Sequence, residues 1–353
     1  SITISPIFPI LEKSPKSKPS NPTDELLHDL SSVIQGDVRF DQISRALWST
    51  DASIYQIEPL GVVLPKNDED VIAVVETANK HNVSILPRGG GTSLAGSTVG
   101  ESIIMDFSRY MRNIKEVNVE EKWVRTQPGI ILDELNKQIS HTGLLFAPDP
   151  STSNRGNVGG ALGNNSCGAH SIMWGKTVDN INTMDVVLSD GSTTQFGPVS
   201  GSQLESKMRL SNLEGNIYQS IFNIGEKNRN EILSKYPKIQ RRVSGYNLDE
   251  FVGGNNFNMA RFAVGSEGTL ITITEAKLKL VPNPKFKGLA VLHCHDLIES
   301  MEATVAAIEM NPSAIELIGK MILTQAKSNL KFSRLTSFIE GDPEALLAIE
   351  VVA

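Results

Sequence analysis

Cysteine is nearly absent, with only Cys167 and Cys294 in 353 residues. Two thiols cannot build a disulfide framework, and no C-x-x-C pair offers a zinc or iron–sulfur site, so a reducing compartment is expected. Long apolar runs are missing too. No stretch reaches the roughly 18 to 20 residues of a membrane span, and the first residues show no basic segment leading into an apolar one. A cytoplasmic protein is expected, with docking at the inner face of a membrane left open. Basic residues are in deficit: 33 Lys and Arg stand against 40 Asp and Glu, for a net charge of -7. That balance gives nucleic acid no electrostatic footprint, and a small-molecule or protein partner fits better. Two nucleotide-binding signatures are also lacking, since no Lys-Ser or Lys-Thr pair closes a G-x-x-x-x-G and no G-x-G-x-x-G opens a helix.

What is present is a chain with 40% hydrophobic residues, long enough for two or three domains. Residues 1–22 hold five prolines among Ser and Lys, a composition that buries little surface, and are expected to form a flexible arm. GVVLP (61–65), then a helical pattern carrying Val71, Val74, Val75 and Ala78 behind acidic residues, then VSILP (83–87), make a βαβ unit over 55–107. Residues 108–285 read as α+β, with an insertion at 200–257. Leu132, Leu135 and Ile139 share one helical face, stopped by Gly143. Asp190-Gly191 marks a hairpin turn. The alternation in 271–282 slips once, as at a β-bulge. From about 286 strands and helices alternate again, ending on the strand-like LLAIEVVA (346–353). A strand without a partner is a poor terminus, so this part is expected to be the start of an α/β cap cut short.

The sharpest local feature is ILPRGGGTSLAG (85–96). A buried strand runs straight into three glycines, whose missing Cβ atoms let the backbone turn and present N–H groups to phosphate oxygens, with two hydroxyls beside them. The bland alternative is a flexible turn. A second feature, FAPDPSTSNRGNVGGALGNNSCGAHSIMWGKTVDNI (146–181), is so rich in glycine and short polar residues that it reads as a long functional loop, with Val158, Ala161 and Leu162 packed beneath a ligand. Two such loops in one domain suit an extended dinucleotide. A third, GSEGT (265–269), precedes a strand and is by itself a tight turn.

Taken in order, VLP, PRGGGTSLAG, PDPST with NVGGALGNNSCG, and AVGSEGTLITITEAKLKL resemble the FAD-linked oxidases of the vanillyl-alcohol oxidase / p-cresol methylhydroxylase class. Within it the chain is most similar to the branch of the glycolate oxidase flavin subunit, D-lactate dehydrogenase and D-2-hydroxyglutarate dehydrogenase. The resemblance spans roughly 55–320 and implies an α+β, two-subdomain FAD-binding fold (23–285) followed by a partial substrate or cap domain (286–353). It assigns the FAD pyrophosphate to Pro87, Arg88, Gly89, Gly90, Gly91, Thr92 and Ser93. It places Pro148, Asp149, Pro150, Thr152, Gly159, Gly160, Asn164, Ser166 and Gly168 along the flavin and ribityl chain, and Glu267 and Gly268 in a later cofactor loop. Thr92 stands where some relatives carry a flavin-linking histidine, so FAD is expected to be non-covalent.

The implied reaction is oxidation of a small 2-hydroxy acid (D-lactate, glycolate or D-2-hydroxyglutarate type), with electrons passed to an acceptor protein or quinone rather than NAD. The G-Y-x-L match makes Tyr246 and Arg242 substrate-contact candidates, beside the bland reading of a surface turn, and Arg155 could hold a carboxylate. No H-x-G-D/E-x-N-x-H pattern is found, so the catalytic base, a metal ion or an iron–sulfur cluster is expected only outside this chain. His293-Cys294-His295 alternates across a strand and cannot converge on a metal. Cys167 is expected to be small and packed, and His170 a solvated loop histidine that could in principle serve as a base. Other readings are another flavoprotein of the fold, of aldonolactone oxidase or enolpyruvyl reductase type, or a non-catalytic flavin-binding subunit.

Overall fold

The structure, a computed structural model, describes residues 22–252 and 257–353. The arm expected at 1–22 lies outside it apart from Pro22, as do residues 253–256 of the insertion. Among the described residues three larger sheets follow one another along the chain, with two short two-stranded pairings, Pro198–Val199 with Phe257–Asn258 and Leu144–Leu145 with Val281–Pro282, beside them.

In the first, strand Gly61–Leu64 is buried along its whole length, as a strand covered on both faces must be. Helix Asp68–Lys80 follows, capped by the Asn67 side chain, which accepts from the Asp70 N–H, and it buries Val71, Val74, Val75 and Ala78. Strand Ile85–Arg88 closes the unit. Between these two strands lies Ile103–Asp106, parallel to both, and Asp37–Arg39 adds an antiparallel edge. The sequence reading missed helix Pro22–Val33, whose Leu26 and Leu30 pack into the same core as Val71 and Val74. The buried Asp70 carboxylate ties this entry down by accepting from the N–H groups of Gln35, Gly36 and Lys66.

The second sheet is wholly antiparallel, with Ile114–Asn118, Trp123–Thr126, Thr272–Lys279, Ile181–Val187 and Thr193–Phe196 in spatial order. The hairpin at Gly191 has φ +86. The expected slip is a bulge: Ile273 faces Val186 and Glu275 faces Asp185, so Thr274 is extra. Helix Leu132–Ile139 packs Leu132, Leu135 and Ile139 onto the core, and Gly143 ends the turn at φ +71. The segment expected as one long loop is partly helical, Val158–Asn164, because Val158, Ala161 and Leu162 are buried against the same core. The insertion is helical as well, with Gly201–Met208, Leu213–Lys227 and Arg229–Lys235.

In the third sheet Lys287–Cys294 and Ala314–Gly319 run the same way, with helix Leu297–Ile308 in the connection, but they do not touch. Strand Ala345–Val352 lies between and pairs antiparallel with both. The strand-like run read as unpartnered thus has a ladder on each side.

Candidate functional site

The three glycine-bearing segments meet around one cleft of about 550 Å³. Pro87 and Arg88, at the end of their strand, and Gly89 through Ser93 form one side. This loop could not carry side chains where its glycines stand. A Cβ on Gly89 would come 2.8 Å from Asn157 Oδ1, one on Gly90 would come 2.3 Å from the Arg155 carbonyl oxygen, and Gly91 has φ +62. Among the described residues the N–H groups of Gly90, Gly91, Thr92 and Ser93 donate to no protein acceptor. A run of undirected backbone donors beside a cleft is what an anion requires.

Arg88 serves the loop differently from a phosphate-binding cation. Its guanidinium donates to the carbonyls of Trp48 (3.2 Å), Thr98 (2.9 Å) and Thr50 (2.7 Å) and so braces the turn. Burial lowers its pKa, opposed by Asp106 and Asp51. Ser93 Oγ accepts from the N–H groups of Ala95 and Ser97.

Pro150, Thr152, Gly159, Gly160, Asn164 and Ser166 line the same cleft. Gly159 packs on Pro128, while a Cβ on Gly160 would meet nothing within 4 Å, so this turn of helix is open to a ligand. Glu267 and Gly268 complete the wall at φ +51 and +77. The Glu267 N–H donates to the Gly163 carbonyl at 2.9 Å, and its carboxylate accepts from Ser97 Oγ at 3.2 Å, joining all three segments.

Other expected residues lie elsewhere. Pro148, Asp149 and Gly168 are behind the cleft wall, where a Cβ on Gly168 would come 2.1 Å from the Asp149 carbonyl oxygen. Arg242 Nη2 donates to both oxygens of Asp249, at 2.8 and 2.6 Å, and Nη1 donates to Asn247 Oδ1 at 3.3 Å, away from the cleft lining. Tyr246 is half-exposed, its hydroxyl paired with Thr269 Oγ1 at 2.9 Å, and Arg155 is exposed and bonds Asn154. His170 is not solvated: its ring bonds Asp149 and Glu350. Cys294 is buried while His293 accepts from the Glu340 N–H.

Sequence reasoning overlooked Asn157 and Asn165. Both line the cleft, both are almost fully buried, and Asn157 Oδ1 and Asn165 Nδ2 have no partner among the described residues. Their other amide atoms are anchored, Asn157 to the Gly129 carbonyl and Asn165 to the Val178 N–H. One acceptor and one donor are thus left unsatisfied inside the cleft wall. The signal was faint: Asn165 takes a left-handed conformation, φ 48, one of few residue types that does so readily. Leu94, Ile271, Ile273 and Val243 supply an apolar lining, and Cys167, expected to be packed, also faces the cleft.

Residues 59–197 match the family model described as FAD binding domain. Residues 59–197 thus form an FAD-binding domain. This FAD-binding chain is 33% identical over 331 residues to a D-2-hydroxyglutarate dehydrogenase of Pseudomonas putida, covering 92% of the chain and 33% of that protein. A protein of the same name from Escherichia coli is 32% identical, over 90% of the chain and 32% of its own length. A glycolate oxidase subunit of Bacillus subtilis is 28% identical over 90% of the chain and 57% of its length. The chain thus spans about a third of the first two relatives. Among solved structures, an alkyldihydroxyacetonephosphate synthase superposes with a TM-score of 0.65 at 20% identity, over 98% of this chain and 57% of that one, which shows the shared fold.

Proposed function

We propose that the cleft holds FAD non-covalently and that the protein oxidises a small 2-hydroxy acid. The observation that carries the reading is the run of N–H groups at Gly90 to Ser93 that donate to no protein acceptor among the described residues and line the same cleft as Gly159, Gly160 and Asn164. In this reading those donors hold the diphosphate, Gly159 and Gly160 admit the cofactor's close approach, and Ile271 and Ile273 exclude water from its apolar part. When bound, FAD supplies the acceptor at N5 for the hydride leaving the substrate Cα. Thr92, standing where a flavin-linking histidine would, supports non-covalent attachment.

The similarity to proteins named D-2-hydroxyglutarate dehydrogenase and glycolate oxidase subunit supports a 2-hydroxy acid as substrate. A relative from Saccharomyces cerevisiae named D-lactate dehydrogenase [cytochrome] supports an acceptor protein, and a quinone would serve the same purpose. Both cysteines are free, in keeping with a reducing, cytoplasmic setting. Among the described residues no helix is long and apolar enough to cross a membrane, and no three His, Cys, Asp or Glu are placed to hold a metal ion.

Two measurements test the reading. The chain mixed with FAD should give a bound-flavin visible spectrum, and gel filtration that separates all flavin from protein would refute the cofactor. In the whole protein, anaerobic D-2-hydroxyglutarate, D-lactate or glycolate should bleach that spectrum. A bound flavin that none of them bleaches would leave a flavin-binding subunit without this activity.

A further inference from the structure

Both ring nitrogens of His170 are taken by carboxylates from different parts of the fold. Nδ1 meets Asp149 at 2.5 Å and Nε2 meets Glu350 at 2.7 Å. Asp149 directly precedes Pro150, which lines the cleft, and Glu350 lies on Ala345–Val352, the middle strand of the third sheet. An imidazole flanked by two acceptors needs both its protons, which makes it a cation here. The side chain is 15% exposed and stacks on Trp174 with centroids 5.3 Å apart. Its link to the cleft is short: Gly168 is wedged against the Asp149 carbonyl, and its neighbour Cys167 is part of the wall.

Other charged and polar groups surround the trio. Lys287 lies 3.5 Å from Glu350, Ser313 Oγ donates to Glu350 at 2.9 Å, and Arg241 donates to the Gly168 carbonyl and Ser171 Oγ while approaching Glu316 at 3.9 Å. Of these side chains the imidazole is the one whose chemical type makes it a switch near neutral pH. We propose that His170 is a positioning residue which, as an imidazolium, clamps the cleft wall at Pro150 and Cys167 to the third sheet, and releases it on losing its proton. The consequence for the cofactor rests on the flavin reading above.

The direction of the pH effect follows from the contacts. Burial alone would lower the His170 pKa, but the hydrogen bonds to Asp149 and Glu350 outweigh it and raise it, while His170 and Ser313 hold Glu350 down against its own burial. A raised histidine pKa means that the clamp is fully closed below the ordinary value, about 6.5, and is lost as pH rises through the raised one.

The test is FAD titration of the chain between pH 6 and 9, with amide exchange of Ala345–Val352, corrected for intrinsic rates, as a readout free of cofactor. In the wild type, affinity should fall and exchange should quicken, each by roughly fivefold, across the titration. His170→Gln should show neither step, and Glu350→Gln, which keeps the histidine, should lose both by an independent route. A pH step in His170→Gln equal to that of the wild type would overturn the proposal, even if the variant were weaker at every pH, because that is the mark of a purely structural role. Should the chain take up no FAD at any pH, the flavin reading falls while the exchange data still decide the clamp.

Discussion

The Arg155 carbonyl sits so close beneath Gly90 that a methyl group on the glycine would come within 2.3 Å of it. The contact is backbone on backbone and cannot be relieved by a rotamer change. Gly90→Ala must therefore push the donor loop off the segment that supports it. We expect the variant to fold and to bind FAD at least about tenfold more weakly, which is about 1.4 kcal/mol, as read by fluorescence titration. Unchanged affinity would mean that the loop is not the cofactor's seat.

Asn165 ends helix Val158–Asn164 in a left-handed conformation and accepts at its Oδ1 from the buried Val178 N–H at 3.0 Å. Asn165→Ala strands that donor and places alanine at φ 48. The expected loss is about 1–3 kcal/mol, measured by urea unfolding at equilibrium. Added FAD should recover less stability than it does in the wild type, since the free Nδ2 has gone with the side chain.

Tyr218 is fully buried between Phe196 and Phe257, with ring centroids at 6.3 and 5.8 Å, and its hydroxyl has no partner among the described residues. Burial, with Glu214 nearby, pushes its pKa far up. Removing the oxygen should help the fold. Tyr218→Phe is expected to stabilise by about 1 kcal/mol, a rise in Tm of roughly 2 °C by calorimetry. A fall in Tm would point to a polar partner for this hydroxyl.

Asp29 accepts from Lys80 at 2.8 Å and pairs with His81 at 2.7 Å, and these hydrogen bonds bring its pKa down to about 2. A depressed carboxylate stabilises the fold above its ordinary value of 3.8 and ceases to do so as pH falls through the depressed one. Asp29→Asn should lower Tm at pH 7, with the gap to the wild type closing between pH 4 and 2. A gap independent of pH would show that the effect is steric.

Wherever a local rule had a local cause, the sequence was readable. The three glycines needed at 89–91, the helix stop at Gly143 and the extra residue at Thr274 each leave a mark of their own on residue type or period. Helix Val158–Asn164 left none, because three glycines in seven residues lower helix propensity by about 1 kcal/mol each and the helix forms only through burial of Val158, Ala161 and Leu162. Side-chain partners were less readable still. Arg242 was a plausible carboxylate ligand by type, yet Asp249 seven residues on already accepts from its Nη2. His170 took on meaning only when Glu350, 180 residues away, came to lie against it.

The three larger sheets are each assembled around a strand that comes later in the chain than those it joins. Ile103–Asp106 enters between Gly61–Leu64 and Ile85–Arg88, Thr272–Lys279 between Trp123–Thr126 and Ile181–Val187, and Ala345–Val352 between Lys287–Cys294 and Ala314–Gly319. As the polypeptide leaves the ribosome, each pair of flanking strands waits with open edges until its keystone emerges. For the second sheet that interval runs from about residue 126 to 272, and in it the unpaired edges are exposed to any other chain nearby. Slow elongation past residue 280 should therefore give the nascent protein time to close its second sheet, whereas a pause before residue 272 would prolong the state in which that sheet's edges are open.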